Sequence, residues 1–301
     1  MTDWESWLRT AAKRPSNNEI SKRDRTEQQI RDALSVYEPL DGRPYCVYAK
    51  GSYANNTNVR LNFDVDIAVE YQGYFYYDLA FGLENVDKSE VGIVSSTDPY
   101  TRDEFKADIR GALVSAYGEE AIDVGNVALR VRNGATTLPA DVVPCWEYRR
   151  YDRIVDGTPV FHRGSRVYPA SGGHKNNYPE VQLVNGRAKT GRTGRRYKRI
   201  VRALKKLQTK MLDEGVINTE LPSYLVECVV YNVPDDHFDY ASYFADMRNV
   251  LAYIFNETRD SGNWNEWHHV HELMYLFRSD AFDRTEVHNF ASAAWDYLGL
   301  E

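Results

Sequence analysis

Two aspartates on one predicted strand, Asp64 and Asp66, are the residues whose type and spacing most clearly suggest chemistry. Side chains two positions apart on a strand share a face, so these carboxylates project together while Val65 and Ile67 turn away. Two ionised carboxylates side by side repel each other unless a cation lies between them. Such an oxygen pair suits Mg²⁺, which takes further ligands from water and substrate phosphates. The alternative is a pair of ordinary solvent-facing acids on an exposed strand.

A third acid, Asp141, lies in the apolar run Leu138-Pro139-Ala140-Asp141-Val142-Val143, where a charge is costly to bury. On a neighbouring strand it would complete a two-metal site. Two metals roughly 3.5–4 Å apart can activate an attacking hydroxyl and stabilise the leaving oxygen in phosphoryl transfer. The sequence therefore predicts Asp64, Asp66 and Asp141 as catalytic ligands of two Mg²⁺ ions, with Mn²⁺ as the alternative metal.

Gly51 and Ser52 follow a short β-prone run over residues 44–50 and precede the aspartate pair. A glycine lets the backbone approach a phosphate closely, and amides at the start of a following helix can hold a triphosphate tail. Ser52 adds a hydroxyl donor. These two residues are predicted to bind a nucleotide triphosphate, and the alternative is a simple turn.

Positive charge is concentrated between Arg187 and Lys210, where eleven Lys and Arg residues occur without an acid. The rest of the chain holds 26 basic residues against 44 acidic ones, although the overall formal charge is only −7. This segregation indicates a local phosphate site on an acidic body, because a long nucleic-acid track needs more basic surface than one helix offers. The alternative is a solvated helix face.

The predicted helix over 195–213 carries much of this charge. Lys198, Arg202 and Lys205 fall on one face at helical spacing and could hold a triphosphate. Arg195, Arg196 and Arg199 are predicted to face solvent. Just before this helix, residues 186–193 nearly spell a P-loop, but arginine replaces its lysine and no βαβ pattern surrounds it, so we reject that interpretation.

The elements that must position these residues suggest two parts, with a boundary near residue 170. Residues 1–170 mix helix and strand, and residues 171–301 are helical after a loop over 169–194 that a short element could interrupt. Ser21 or Asp24 is expected to cap the N-terminal helix. The fold class is predicted to be α+β, with two lobes around a ligand cleft. We expect strands over 44–50, 63–70, 121–132 and 137–148, a hairpin at 156–157, and helices over most of 1–40 and over 101–117, 195–213, 222–231, 239–256, 266–277 and 284–298.

Composition excludes several classes of protein. The 301 residues are 43% hydrophobic and 27% charged, with no apolar run near the roughly 18 residues of a membrane span. The first residues lack the pattern of a signal peptide. Three distant cysteines, Cys46, Cys145 and Cys228, favour a reducing cytoplasm and argue against zinc. No membrane partner is therefore expected.

The combination of motifs resembles the polymerase-β-type nucleotidyltransferase superfamily. It is most similar to the bacterial relatives of cyclic GMP-AMP synthase, the CD-NTases, and within them to clade E, which includes cyclic UMP-AMP synthases. The resemblance spans residues 51–235 and rests on Gly51-Ser52-Tyr53, Asp64-Val65-Asp66, Leu138–Val143, Asn177-Tyr178-Pro179, Pro222-Ser223-Tyr224-Leu225-Val226-Glu227-Cys228 and Tyr231-Asn232-Val233-Pro234-Asp235.

This resemblance implies a fold and an activity. The fold is a nucleotidyltransferase core of mixed β-sheet with flanking helices over residues 1–170, completed by a helical lobe over 171–301. The activity is synthesis of a UMP-containing cyclic dinucleotide from UTP and ATP, with release of pyrophosphate. The product acts as a second messenger in antiphage defence, read by a separate effector that the enzyme does not contact.

The resemblance also assigns residue roles. Lys205 matches the lysine that grips the donor triphosphate, Ser223 the small polar residue that joins it, and Asn177 the residue that reads uracil. Without the resemblance, a loop asparagine is more often a turn residue. DNA sensing is not expected, because the zinc-bearing insertion of the animal enzyme lacks its cysteines here.

Two other functions remain open on the sequence. The same metals could transfer a nucleotide to a small molecule, an RNA end or a protein side chain. A catalytically silent nucleotide-binding module is the third hypothesis, and the three mutually repelling carboxylates argue against it.

Overall fold

The computed structural model describes residues 2–59, 64–132, 134, 138–238, 240–279 and 281–300. The strands are β1 (Tyr45–Ala49), β2 (Val65–Leu79), β3 (Ile122–Val124), β4 (Leu129–Val131), β5 (Ala140–Val155), β6 (Thr158–Val167) and β7 (Lys175–Asn177). The α-helices are α1 (Trp4–Ala11), α2 (Asn17–Ser35), α3 (Gly51–Ala54), α4 (Arg102–Tyr117), α5 (Pro179–Arg192), α6 (Tyr197–Asp213), α7 (Ser223–Asn232), α8 (Tyr243–Thr258) and α9 (Arg284–Leu298).

Contacts within the chain group the described residues into two compact units. The sheet unit comprises residues 16–50 and 64–180, and the helical unit comprises residues 2–15, 51–59 and those from 181 onward. Both units are therefore discontinuous in sequence. The proposed division of the chain into domains at residues 170 and 171 stays a prediction.

The sheet unit contains one mixed sheet in the order β1-β2-β5-β4-β3, with β6 on the far half of β5 and β7 on β6. Strands β2 and β5 run parallel, and the other neighbouring pairs are antiparallel. Both central strands begin with an almost continuous buried run, as expected for strands covered on two faces. The predicted hairpin at Asp156-Gly157 joins β5 to β6.

Helices α2 and α4 pack against each other and against the sheet. Each begins with a capping box, formed by Ser16 with Glu19 and by Thr101 with Glu104. The sequence prediction of one N-terminal helix capped by Ser21 or Asp24 was wrong. Pro15 disfavours helical backbone at the residue before it, and the Ser16 box starts a new helix.

The helical unit is organised around α6. The apolar stripe predicted for this helix is buried in full, since Tyr197, Ile200, Val201, Leu204, Leu207 and Met211 are each at most 1% exposed. These side chains join one hydrophobic core with residues of α1, α7, α8 and α9. Within the described residues, no helix is long and apolar enough to cross a bilayer.

Two sequence predictions in this unit were wrong. Helix α5 occupies most of the predicted loop over 169–194, because a proline at its first position and Glu180 in its first turn favour a helix start that Gly186 and Gly191 obscure. The P-loop look-alike therefore lies largely within a helix, as its rejection implied. Residues 268 and 275 form an isolated β-bridge where a helix over 266–277 was expected.

The buried imidazole of His269 makes the stability of this unit pH-dependent. The side chain is 8% exposed, and burial, with a smaller effect of His268, lowers its pKa to about 4. Between pH 6.5 and 4, His269 is protonated in the unfolded chain but stays neutral in the folded chain. The free energy of unfolding therefore decreases as the pH falls from 6.5 towards 4. We expect a loss of about 3 kcal/mol in the free energy of unfolding across that window, measured by urea denaturation.

The matched variants are His269→Gln and His268→Gln. The first should flatten the pH dependence in that window, and the second should retain it. An equal pH dependence in wild type and His269→Gln would contradict this assignment.

Candidate active site

The predicted carboxylates meet at one end of the two central strands. Asp66 of β2 lies directly opposite Asp141 of β5 in the parallel ladder, so both side chains belong to the same face of the sheet. Asp64 precedes β2 by one residue. The neighbours Ile67 and Val142 are fully buried on the other face. The alternation of apolar and acidic residues thus sends the apolar side chains into the core and gathers the acids opposite.

Two cations flank this set, which we call the carboxylate row. Arg130 of β4 lies opposite Asp141 in the antiparallel ladder, and its Nη2 donates to Asp64 Oδ2 at 2.7 Å. Lys50 follows β1 on the other side, where its backbone N–H donates to the Asp66 carbonyl at 2.9 Å. Three acids therefore face two cations across four neighbouring strands.

Two acids of the row, Asp66 and Asp141, are harder to ionise than ordinary carboxyl groups. Burial is the main cause that raises the pKa of Asp66, and the charges of Asp141 and Asp64 raise it further against the opposing effect of Lys50. Burial also raises the pKa of Asp141, where Arg130 opposes it and Asp64 adds to it. Elevated carboxyl pKa values on adjacent strands are typical of functional sites.

The donor set fits a divalent cation, with one qualification from the geometry. The three carboxylates are oxygen donors that repel one another, which is the chemistry that favours Mg²⁺ or Mn²⁺. Within the described residues, however, no three His, Cys, Asp or Glu side chains are grouped as a formed metal site. Asp64 is held by Arg130 instead. Metal binding by all three therefore requires the Asp64 carboxylate to share its oxygens with Arg130 or to leave this ion pair.

Gly51 and Ser52 lie in the helical unit, at the start of the single-turn helix α3. Gly51 has a φ of 68°, which a residue with a side chain rarely adopts. The backbone then folds back, because the N–H groups of Thr57 and Asn58 both donate to the Ser52 carbonyl. We call residues 51–58 the Gly-Ser segment.

Arg202 and Lys205 of α6 hold the Gly-Ser segment from within the helical unit. Lys205 is 4% exposed, and its Nζ donates to the Thr57 carbonyl at 3.2 Å. Arg202 is 5% exposed and donates to the carbonyls of Ala12 and Asn56. Both cations thus position backbone that carries Gly51 and Ser52, and their predicted role in holding a triphosphate stays a prediction.

Ser223 and Asn177 complete the predicted set. Ser223 is exposed at the first position of α7. Asn177 is the last residue of β7, where it pairs with Ser165, so the expectation that it lies in a loop was wrong. Its side chain is exposed and precedes α5 by two residues.

Sequence reasoning missed several residues that shape these groups. Arg130 could have been found from the alternation Leu129-Arg130-Val131, which places its side chain on the polar face of a strand. Glu227, which is 2% exposed, accepts hydrogen bonds from the Thr57 hydroxyl at 2.7 Å and from Gln182 at 3.3 Å. A lone acid inside the apolar run of α7 was the available signal.

Comparison with known proteins places the whole chain in one family. The chain is 34% identical to a cyclic dipyrimidine nucleotide synthase, CdnE, of Cecembia lonarensis, over 98% of both chains. Residues 184–299 match the model of the cGAS/DncV-like nucleotidyltransferase C-terminal helical domain. The chain belongs to the CdnE group of cGAS/DncV-like nucleotidyltransferases.

Solved CdnE structures share the fold. The Rhodothermus marinus CdnE c-UMP-AMP synthase with Apcpp and Upnpp superimposes with a TM-score of 0.84 at 27% identity, covering 98% of this chain and 96% of that one. The Elizabethkingia meningoseptica CdnE cyclic dinucleotide synthase with GTP and Apcpp gives a TM-score of 0.79 at 30% identity and 98% coverage of both. The predicted α+β class, with a nucleotidyltransferase core and a C-terminal helical domain, and the resemblance to clade E are confirmed.

Proposed function

We propose that this CdnE protein joins two nucleoside triphosphates into a UMP-containing cyclic dinucleotide, with UTP and ATP as substrates. In the first transfer, a ribose hydroxyl oxygen of one NTP bonds to the α-phosphorus of the other, the bond from that phosphorus to the β-phosphate breaks, and pyrophosphate leaves. In the second transfer, a ribose hydroxyl of the linear intermediate bonds in the same way to the α-phosphorus of its own 5′-triphosphate, which closes the ring and releases the second pyrophosphate. The hydroxyl proton passes to solvent. The product would act as a cytoplasmic second messenger in antiphage defence, read by a separate effector.

The observation that carries this proposal is the pairing of Asp66 with Asp141 across β2 and β5. Two paired carboxylates whose pKa values are raised by burial, and further by neighbouring acids, are costly to keep for structure alone. Full-length similarity to cyclic nucleotide synthases supports the assignment.

The chain's own residues would have two roles: some would hold the metal ions that offset charge in the reaction, and others would bind the donor triphosphate. Two Mg²⁺ or Mn²⁺ ions, when bound by Asp64, Asp66 and Asp141, would lower the pKa of the attacking hydroxyl and offset the charge of the leaving pyrophosphate. Arg130 would hold Asp64 before metal arrives. Gly51, Ser52, Lys205 and Ser223 would bind the donor triphosphate through backbone amides, hydroxyl groups and one ammonium.

Product analysis tests the proposal. The protein is incubated with labelled NTP mixtures and Mg²⁺, and the products are treated with phosphatase and weighed by mass spectrometry. Phosphatase-resistant label at the mass of a cyclic dinucleotide containing UMP supports it. Transfer of label only to an added small molecule, RNA or protein would replace it with the second function left open by the sequence.

Asn177 is proposed to read a uracil edge, since an amide offers both a donor and an acceptor. Asn177→Ser should lower kcat/KM for UTP about tenfold relative to ATP, the scale of losing a hydrogen-bonded contact to a base. The measurement is a competition between UTP and ATP for incorporation.

The matched control is Asn176→Ser. The Asn176 amide already bonds to Arg166 and Asp78 inside the protein, so its loss should reduce stability and leave base preference unchanged. If Asn177→Ser and wild type choose bases alike, Asn177 does not read the base.

A further inference from the structure

Nine of the eleven cations between Arg187 and Lys210 fall into two groups in the structure. One group is neutralised locally: Lys189 and Arg192 pair with Asp235, Arg196 with Asp246, and Lys210 with Glu214. The prediction that Arg196 faces solvent was therefore wrong, because its side chain is drawn to the fully buried Asp246.

The other group, five cations of the block, lines a single cavity within the helical unit together with Arg14. The cavity has a volume of about 580 Å³ and is bordered by two neutral residues, Asn56 and Thr190. No carboxylate is among the described residues that line it. Its six cations come from α5, α6 and the chain segments beside them: Arg14, Arg187, Arg195, Lys198, Arg199 and Arg202.

Among the residues that the structure describes, no acid supplies these charges with a countercharge in the cavity. Lys198 is 7% exposed, yet within the described residues its ammonium makes no hydrogen bond or ion pair. Arg202 bonds only to neutral carbonyls, and Arg199 bonds to the hydroxyl of Tyr243. A buried, unpaired ammonium is costly, so its retention indicates a ligand rather than a structural role.

Repulsion among the cations of the cavity also indicates that the cavity binds an anion. Burial, with the charges of Arg199 and Arg14, lowers the pKa of Arg202 to about 10. Burial lowers the pKa of Lys198, and Arg187 and Arg202 lower it further, against the opposing effect of Glu227. A bound anion would oppose the repulsion that acts on both Lys198 and Arg202.

We propose that this cavity binds a compact oligophosphate, an anion that carries two or more phosphate groups. Its volume is that of a small-ligand site, and six converging cations match several phosphate charges rather than one. A nucleic-acid backbone would instead need an extended basic track.

This site goes beyond the proposed function. Gly51, Ser52, Lys205 and Ser223, to which we assign the donor triphosphate, do not line the cavity, whereas Arg202 does. The phosphate that Arg202 serves is therefore the ligand of this cavity.

Adjacent residues supply a matched test. Arg14 lines the cavity and Lys13 does not, and both are exposed, so Arg14→Glu and Lys13→Glu make the same charge change one residue apart. Calorimetric titration of the full chain with sodium tripolyphosphate, in EDTA at fixed ionic strength, should give one saturable site. Arg14→Glu should weaken binding by about tenfold or more, and Lys13→Glu by less than about twofold.

Three further arms make the outcome decisive. Asp66→Asn should bind tripolyphosphate as wild type does, which separates this site from catalysis. Arg187→Glu should repeat the effect of Arg14→Glu if either variant melts abnormally. If Arg14→Glu weakens the binding of ATP as much as that of tripolyphosphate, a nucleotide is the source of the phosphates. If Arg14→Glu leaves ATP binding unchanged, the ligand is a free oligophosphate. Both outcomes support the site. Absence of saturable binding, equal losses in Arg14→Glu and Lys13→Glu, or binding of an RNA duplex without tripolyphosphate would overturn it.

Discussion

Replacing Asp66 by asparagine is expected to reduce product formation by roughly 10³-fold or more, the scale of losing a group that controls charge in a transition state. Asparagine keeps the size of the side chain and removes only the charge. Because burial and two neighbouring acids raise the pKa of Asp66, the folded protein should lose no stability by this change. The measurement is the rate of cyclic product formation in saturating NTP and Mg²⁺.

Divalent metal gives a second readout on the same variant. Mg²⁺ or Mn²⁺ should raise the melting temperature of wild type and leave that of Asp66→Asn nearly unchanged, since only the folded wild type offers all three carboxylates.

Glu119→Gln is the control in the same unit. Glu119 pairs with Arg110 of α4 on the exposed surface, so its loss should leave both activity and the metal response intact. Full activity in Asp66→Asn, or a metal response equal to that of wild type, would refute the role of the carboxylate row.

Replacing Glu227 by alanine is expected to cost roughly 3–5 kcal/mol in the free energy of unfolding, the scale of removing one member of a buried charged group. The Thr57 hydroxyl and the Gln182 amide would lose their acceptor. The buried Lys205 would lose the charge that opposes the lowering of its pKa by burial. Urea denaturation measures the loss.

Two variants serve as controls for Glu227→Ala. Glu227→Gln keeps an acceptor oxygen and should cost less than alanine. Glu220→Ala removes an exposed acid just before α7 and should change stability by less than about 0.5 kcal/mol. Equal stability of Glu227→Ala and Glu220→Ala would mean that Glu227 does not hold the Gly-Ser segment.

The carboxylate row was predictable because it depends on a local rule. The parity of a strand places Asp64 and Asp66 together, and a charge inside an apolar run marked Asp141. What the sequence could not show was register: which residue of β5 faces Asp66, and that Arg130 of β4 faces Asp141, are set by pairing between distant segments. The ion pair between Arg130 and Asp64 follows from that register.

Helix α5, which is stabilised by contacts with distant parts of the chain, was not predicted, for a different reason. Helix α5 contains Gly186 and Gly191, whose low propensity suggested a loop, yet Lys189 is 4% exposed and bonds to Asp235 and the Val233 carbonyl. Such contacts across more than forty residues leave no local pattern. In contrast, α9 was predicted at its observed bounds, because its hydrophobic periodicity and the cap by Asp283 are local.

The structure was also needed to decide which cations of the basic block serve the phosphate site. A count of charges predicted a phosphate site but could not say which cations serve it. Ion pairs to Asp235, Asp246 and Glu214, all outside the block, remove four of the eleven from consideration. Only the fold separates neutralised cations from those that line the cavity.

The central claim is that two transfers occur per pair of nucleotides, and the stoichiometry of pyrophosphate measures this most directly. A cyclic product releases one pyrophosphate for every nucleotide incorporated, because no 5′-triphosphate remains. We predict this ratio with UTP and ATP as substrates, with the released product resistant to phosphatase. One pyrophosphate for every two nucleotides, with a product that phosphatase trims, would show that the reaction stops at a linear dinucleotide and would contradict the account.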